Sequence, residues 1–224
     1  MRKDTRYFDL IEACSESGCP VCRISLELGR HYVDSILYEY VNDPGVRDEI
    51  RKSRGYCNEH AWWMLDVRGA GLGIAIFQRD VVQTVLELTE ALPDGRNARQ
   101  SAQELLKRLQ PTAECPVCAH RRTMEDFMLD TLLQHIGEEK LAAALAGSAG
   151  LCLPHFSRAL ERVDDADTLK QLVALQWRTL TELRDDLAEF IRKNDYRFRD
   201  EGFGKEGDSW RRAIGIVSGE RGVR

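Results

Sequence analysis

The chain has 224 residues and a formal net charge of −5, with 43% hydrophobic and 31% charged residues. These proportions are typical of globular proteins, and the length suffices for one large or two small domains. The acidic balance argues against broad electrostatic binding of nucleic acid, which needs a basic face. No apolar run reaches the roughly 18 to 20 residues that span a membrane, and the charged N-terminal residues lack a signal peptide's apolar stretch. We therefore expect a cytoplasmic protein that does not enter a membrane.

Apolar residues recur at three-to-four spacing along most of the chain, which predicts an all-α fold. No segment shows the sustained alternation of a half-buried strand, so no sheet is expected. In chain order, the helical segments are predicted at 24–41, 46–52, 77–88, 97–109, 138–146 and 169–190.

A cysteine–histidine pattern occurs twice and contains six of the seven cysteines. In each copy a Cys-Pro-Val-Cys knuckle is followed by Cys-x-x-His, after 34 residues in the first copy and 33 in the second. The first copy comprises Cys19, Cys22, Cys57 and His60, and the second comprises Cys115, Cys118, Cys152 and His155. Three thiols and one imidazole form a complete tetrahedral ligand set, so each copy is predicted to hold one metal ion. Zinc, two ions per chain, is the metal that this ligand set favours.

The positions of these ligands suit metal binding. Each motif is predicted to open a helix, whose partial positive charge stabilises a thiolate. Zn²⁺ with three thiolates and a neutral imidazole carries a net charge of −1, which nearby basic side chains are expected to offset. The candidates for that role are Arg23, His120, Arg121 and Arg122, and the aromatic residues Trp62, Trp63 and Phe156 are expected to pack beside the metals. Cys14 is expected to be buried and inert.

Two other chemistries stay open for the cysteines. An iron–sulfur cluster with one histidine ligand is conceivable, although such proteins usually use cysteine alone or paired histidines. Dithiol redox chemistry also uses C-x-x-C, but the thioredoxin-like β-α-β pattern is missing. Four protein ligands would fill the position that a catalytic zinc keeps open, so a non-enzymatic role is favoured over an enzyme. The leading hypothesis is a zinc-stabilised interaction or regulatory module, with a thiol/zinc redox sensor or an iron–sulfur protein as alternatives.

Matching ligand spacing and helix order predict an internal duplication. In each copy, one Cys3His metal site is expected to join the knuckle to the Cys-x-x-His motif of the same copy. The predicted divisions are a first repeat at 1–92, a linker helix at 93–114 that begins with the turn Pro93-Asp94-Gly95, a second repeat at 115–194 and a tail at 195–224. The tail mixes aromatic and basic residues. It is expected to fold back on the core with Trp210 as its anchor, although a docking or single-stranded nucleic-acid element is an alternative. We expect the partner to be a protein, with nucleic acid as the weaker alternative.

The duplicated CPVC with a downstream G-[YL]-C-x-x-H, a Tyr-Arg-Phe segment and a Ser-Trp-Arg-Arg-Ala-Ile segment resembles a bacterial family known only as a domain of unknown function. The resemblance covers most of the chain. It implies a helical protein of about this size and supplies no activity. The positions that match are the eight candidate ligands, together with Tyr196, Phe198 and Trp210 in the tail.

Overall fold

The computed structural model describes residues 5–91 and 97–223, and over these ranges the chain is helical, with no strand. The α-helices are α1 (Thr5–Ala13), α2 (Pro20–Tyr38), α3 (Pro44–Lys52), α4 (Asn58–Trp63), α5 (Gly71–Thr89), α6 (Ala98–Leu109), α7 (Pro116–His135), α8 (Glu139–Gly147), α9 (Leu153–Leu160), α10 (Ala166–Lys193) and α11 (Ser209–Ser218). Three 3-10 turns occupy Met64–Asp66, Tyr196–Glu201 and Lys205–Asp208. The predicted all-α fold is confirmed. Among the described helices, none has both the length and the apolar character that crossing a membrane requires.

Polar side chains fix where several helices begin. Asp43 accepts a hydrogen bond from the backbone N–H of Val46 and starts α3, with Pro44 at the first helical position. Asn97 caps α6 in the same way, and Asp165 accepts from two backbone N–H groups at the start of α10. These caps explain why the predicted starts of α3, α6 and α10, at residues 46, 97 and 169, lie within three residues of the observed ones.

Glycine turns lead into both Cys-x-x-His motifs. Gly55 has φ +91° and Gly150 has φ +70°, a left-handed conformation that glycine adopts without a side-chain penalty. After each turn the chain enters α4 or α9, with Cys57 or Cys152 at the N-cap. Each glycine turn therefore directs the chain into the helix that carries the Cys-x-x-His ligands.

The chain divides into two compact units that do not follow the predicted divisions. One unit comprises Met1–Glu27 and Thr123–Arg224, and the other comprises Leu28–Arg122. Each unit thus takes residues from both predicted copies, unlike the sequential division at 1–92, 93–114, 115–194 and 195–224. The predicted turn at Pro93-Asp94-Gly95 and the boundary after residue 92 lie outside the described residues. The same order of helices follows both knuckles, α2 to α5 and α7 to α10, but the duplication itself stays a prediction.

The unit formed by Leu28–Arg122 has its own apolar core. Its buried members are Val33, Ile36, Leu37, Ile50, Met64, Ala70, Phe77, Cys115 and Val117. Helix α3 packs against α5, and Arg47 forms a bidentate ion pair with Asp80, with N···O distances of 2.6 and 2.8 Å. A Cβ at Gly73 would lie 2.8 Å from the carbonyl oxygen of Leu37. A glycine at this position therefore lets the helices α2 and α5 approach closely.

The other unit is built around α1 and α7 to α11. Its fully buried side chains include Tyr7, Leu10, Leu129, Leu132, Leu141, Leu145, Leu151 and Leu172. Helix α11 packs against α9 and α10, so the tail folds back on the core as predicted. The predicted anchor is wrong. Trp210 is 43% exposed, whereas Ile216 is buried, because the apolar face of α11 that meets the core is the one that carries Ile216.

Candidate metal centres

The structure gathers the eight predicted ligands into two Cys3His clusters, but it pairs them differently from the prediction. Site 1 consists of Cys19, Cys22, Cys152 and His155, and site 2 consists of Cys57, His60, Cys115 and Cys118. In each site the ligand atoms all lie within 4.8 Å of one another. The predicted pairing of each knuckle with the Cys-x-x-His of its own copy is therefore wrong, because each knuckle meets the Cys-x-x-His of the other copy. Each site lies within one of the two units.

Site 1 has the dimensions of a tetrahedral metal centre. Nδ1 of His155 lies 3.5, 3.4 and 3.2 Å from Sγ of Cys19, Cys22 and Cys152. The Sγ atoms of Cys22 and Cys152 are 3.5 Å apart. With metal–sulfur bonds of about 2.3 Å and metal–nitrogen bonds of about 2.0 Å, a tetrahedron places sulfurs about 3.8 Å apart and sulfur and nitrogen about 3.5 Å apart. The four atoms surround a space of the right size for a metal ion such as Zn²⁺.

Site 2 has matching dimensions. Nδ1 of His60 lies 3.2, 3.6 and 3.3 Å from Sγ of Cys57, Cys115 and Cys118. The Sγ atoms of Cys57 and Cys118 are 3.8 Å apart. Both sites therefore present the same atom, Nδ1, of their histidine to the cluster.

Helix starts bring the ligands together. The backbone carbonyls of Cys19 and Cys115 accept the first helical hydrogen bonds of α2 and α7, so the second cysteine of each knuckle lies in the first helical turn. Cys57 and Cys152 are N-caps, and their histidines follow three residues later. A spacing of three residues at a helix start places both side chains on the same side.

A buried carboxylate supports the histidine of site 1. Glu125 is 3% exposed and lies 3.6 Å from Nε2 of His155. It accepts a 2.5 Å hydrogen bond from Ser25 and forms an ion pair with Arg158. Burial raises the pKa of the Glu125 carboxyl, but His155, Ser25 and Arg158 outweigh burial and bring it to about 2. The carboxylate thus favours a proton on Nε2, which leaves the lone pair of Nδ1 for a metal.

A buried guanidinium takes the equivalent place in site 2. Arg121 is 5% exposed, and its Nη1 lies 3.2 Å from Nε2 of His60. Because a guanidinium can only donate, this contact favours Nε2 as an acceptor. The ring of Trp63 packs edge-on against His60, with centroids 4.6 Å apart. A Cβ at Gly29 would lie 2.6 Å from Cδ of Arg121, so the glycine makes room for the arginine.

Some of the predicted neighbours contact the sites and others do not. Arg121 contacts His60, and Trp63 packs on the same ring, as predicted. Arg23 pairs with Glu16, Arg122 pairs with Glu114, His120 stacks on Tyr32, and Trp62 is exposed. Glu125 and Arg158 were not among the predicted site residues. Glu125 follows Cys118 by two helical turns, a spacing that points to site 2, so no signal in the sequence indicated its place beside His155.

Cys14 lies outside both clusters. The side chain is buried, as predicted. Burial raises the pKa of its thiol to about 11, despite a hydrogen bond with Ser148 that lowers it. The thiol is therefore protonated at neutral pH and poorly reactive.

The electrostatics of both clusters suit a bound cation. Burial raises the pKa of the Cys115 and Cys118 thiols, so thiolates there need a nearby positive charge. In site 1, burial lowers the pKa of His155, but Cys19 and Glu125 raise it to about 9, which shows how strongly negative its surroundings are. Each Cys3His group could bind a metal ion through four protein ligands, an arrangement that leaves no open coordination position.

Comparison with known proteins gives a family and no activity. The chain is 26% identical over 191 residues to a protein from Caldicellulosiruptor sp. (strain Rt8B.4) described as "Uncharacterized 23.9 kDa protein in xynA 3'region", covering 84% of this chain and 88% of that protein. No solved structure matches the chain. Residues 1–222 match the Family of unknown function (DUF6062), and the chain belongs to this family.

Proposed function

We propose that this protein is a non-enzymatic helical module that binds two structural zinc ions and acts by contacting another protein. The observation that carries the proposal is the closed ligand set of both sites. Three thiols and one imidazole surround each centre at tetrahedral distances, so a metal there has no open position for substrate or water. A metal held in this way contributes to folding rather than to catalysis.

Zinc fits these donors better than an iron–sulfur cluster. In each site the three sulfur–nitrogen distances and one sulfur–sulfur distance run from 3.2 to 3.8 Å, which matches the edges of a tetrahedron around one ion of zinc size. A cluster of several iron and sulfide atoms needs a wider cage and usually four cysteines.

An exposed apolar stripe on α10 supports a protein partner. Leu169, Val173, Trp177 and Leu180 recur at helical spacing and are 37 to 69% exposed. The adjoining face of the same helix is buried through Leu172, Gln176 and Leu183. An apolar stripe that extends beyond the buried face and stays exposed is typical of a surface that contacts a partner. Nucleic acid is the weaker candidate because the net charge is −5.

Metal analysis tests the closed-site proposal. The full chain, purified without added metal and without oxygen, should contain two zinc ions. Exchange for Co²⁺ should give the intense visible absorption of tetrahedral thiolate ligation, and added cyanide or azide should leave that spectrum unchanged. Iron with matching sulfide, or a spectrum that responds to the added anions, would overturn the proposal.

Variants on α10 test the partner. A tagged full-length Trp177→Glu chain, expressed in cells of its source organism, should lose the protein that copurifies with the wild type. Leu72→Glu is the matched control, since Leu72 is 76% exposed but lies on α5. A copurifying protein that is retained by Trp177→Glu would refute the α10 stripe as the contact surface.

A further inference from the structure

The two candidate metal sites differ in access from solvent. All four ligands of site 1 are buried, with Cys22 and Cys152 fully inaccessible. In site 2, Cys57 and Cys118 are partly exposed, whereas His60 and Cys115 are not. An oxidant in solution can therefore reach two thiolates of site 2 while those of site 1 are covered.

The cover over site 1 comes from the end of the chain. A Cβ at Gly219 would contact Sγ of both Cys22 and Cys152 at 3.8 Å, so the backbone there lies against the cluster. The backbone N–H of Glu220 donates a hydrogen bond to Cys22. A thiolate that accepts hydrogen bonds is a weaker nucleophile, so this segment both shields site 1 and lowers its reactivity.

The histidine neighbours add a second difference. Glu125 faces Nε2 of His155 and thereby leaves Nδ1 available to a metal. Arg121 faces Nε2 of His60 as a donor and favours the tautomer whose proton lies on Nδ1. A proton on Nδ1 of His60 competes with a metal for the same lone pair. The metal in site 2 should therefore be held less tightly than the metal in site 1.

We propose that Cys57 and Cys118 are a site of oxidation by hydroperoxides, which join them in a disulfide and release the metal of site 2. The proposal rests on the metal occupancy proposed above. The two Sγ atoms are 3.8 Å apart, in contact but unbonded. Cys115 is the less suitable partner because it is more buried and accepts backbone hydrogen bonds from Val117 and Cys118.

Formation of the disulfide consumes one hydroperoxide. One thiolate attacks the outer oxygen, the O–O bond breaks, and the leaving alkoxide or hydroxide takes a proton. The second thiolate then attacks the resulting sulfenic acid, the S–S bond forms, and hydroxide leaves as water after taking another proton. The two thiolates lose two electrons, which the hydroperoxide gains, and the divalent metal departs because two of its anionic ligands are gone.

The test uses the metal-loaded full chain. Metal content is measured first, then hydrogen peroxide is added in small excess, and zinc release is followed with a colorimetric chelator. Free thiols are alkylated before and after denaturation, and disulfides are mapped by mass spectrometry. One of the two zinc ions should be released, with a disulfide between Cys57 and Cys118. Cys19, Cys22 and Cys152 should be alkylated only after denaturation. Cys14→Ser serves as the matched control and should behave like the wild type.

The outcomes separate this inference from the proposed function. Fewer than two metals before oxidation would overturn the proposed function. Two metals at the start, followed by release of both together, by release from site 1, or by no release, would overturn only the inference. A disulfide between Cys115 and Cys118 would refute the assigned pair.

Discussion

The exchanged ligand pairing can be tested by combining serine substitutions in pairs. If Cys22 and Cys152 share site 1, then Cys22→Ser with Cys152→Ser should abolish one site and leave one metal per chain. If Cys57 belongs to site 2, then Cys22→Ser with Cys57→Ser should abolish both sites. The pairing of each knuckle with its own copy would give the reverse result for each pair.

The size of the effect follows from the loops that the metals close. Cys22 and Cys152 are 130 residues apart, and Cys57 and Cys118 are 61 residues apart. Treating each metal as a cross-link, the chain-entropy relation gives a contribution of about 5 kcal/mol for site 1 and about 4 kcal/mol for site 2. Either loss is a large share of a typical stability of about 5 to 15 kcal/mol.

The two substitutions in site 1 should therefore be strongly non-additive. The first removes the metal and costs about 5 kcal/mol, and the second finds no metal left to remove. The assay is elemental analysis of anaerobically purified protein, combined with urea unfolding of the variants that stay folded. One metal in the Cys22/Cys57 pair and none in the Cys22/Cys152 pair would refute the exchanged pairing.

Three further outcomes are expected. Glu125→Gln should weaken zinc binding at site 1 by about 10- to 100-fold in a chelator competition, with site 2 unchanged, and equal weakening at both sites would contradict its role beside His155. Leu129→Ala should lower the free energy of unfolding by about 2 to 5 kcal/mol, whereas Leu72→Ala on the exposed face of α5 should change it by less than about 0.5 kcal/mol; similar effects would refute the assigned core. Arg47 holds the pKa of Asp80 below its ordinary value of 3.8, so the pair stabilises the protein above that pH and loses this effect as pH falls below it. The stability difference between wild type and Asp80→Asn should stay constant from neutral pH to about pH 5 and shrink below about pH 4, and a difference independent of pH would argue against the ion pair.

Local rules were enough to predict the identity of the ligands and most of the helices, although not α1. Caps such as Asp43 and Asp165, glycine turns and apolar spacing act over a few residues, and the sequence displays them directly. The cysteine–histidine spacing likewise identified all eight side chains that the structure brings together.

Local patterns could not predict which knuckle shares a metal site with which Cys-x-x-His motif. The two Cys-x-x-His motifs are chemically equivalent as partners for a knuckle, and nearness along the chain favoured the wrong one. The choice depends on how α2, α4, α7 and α9 pack, which involves contacts between residues more than 100 positions apart. Trp210 failed as an anchor for a similar reason, because size and apolarity do not reveal which face of α11 meets the core.

The exchanged ligands also have a consequence for synthesis of the chain. Cys22 emerges from the ribosome 133 residues before His155, which at ~5–20 residues per second is a delay of roughly 7 to 27 s. During that interval Cys57 and His60 emerge and offer the first knuckle a complete but incorrect ligand set. A nascent chain that meets free zinc early could be trapped with the two motifs of one copy joined. If each site takes up a metal ion, correct maturation requires that the ion arrives late or exchanges fast enough to correct the error.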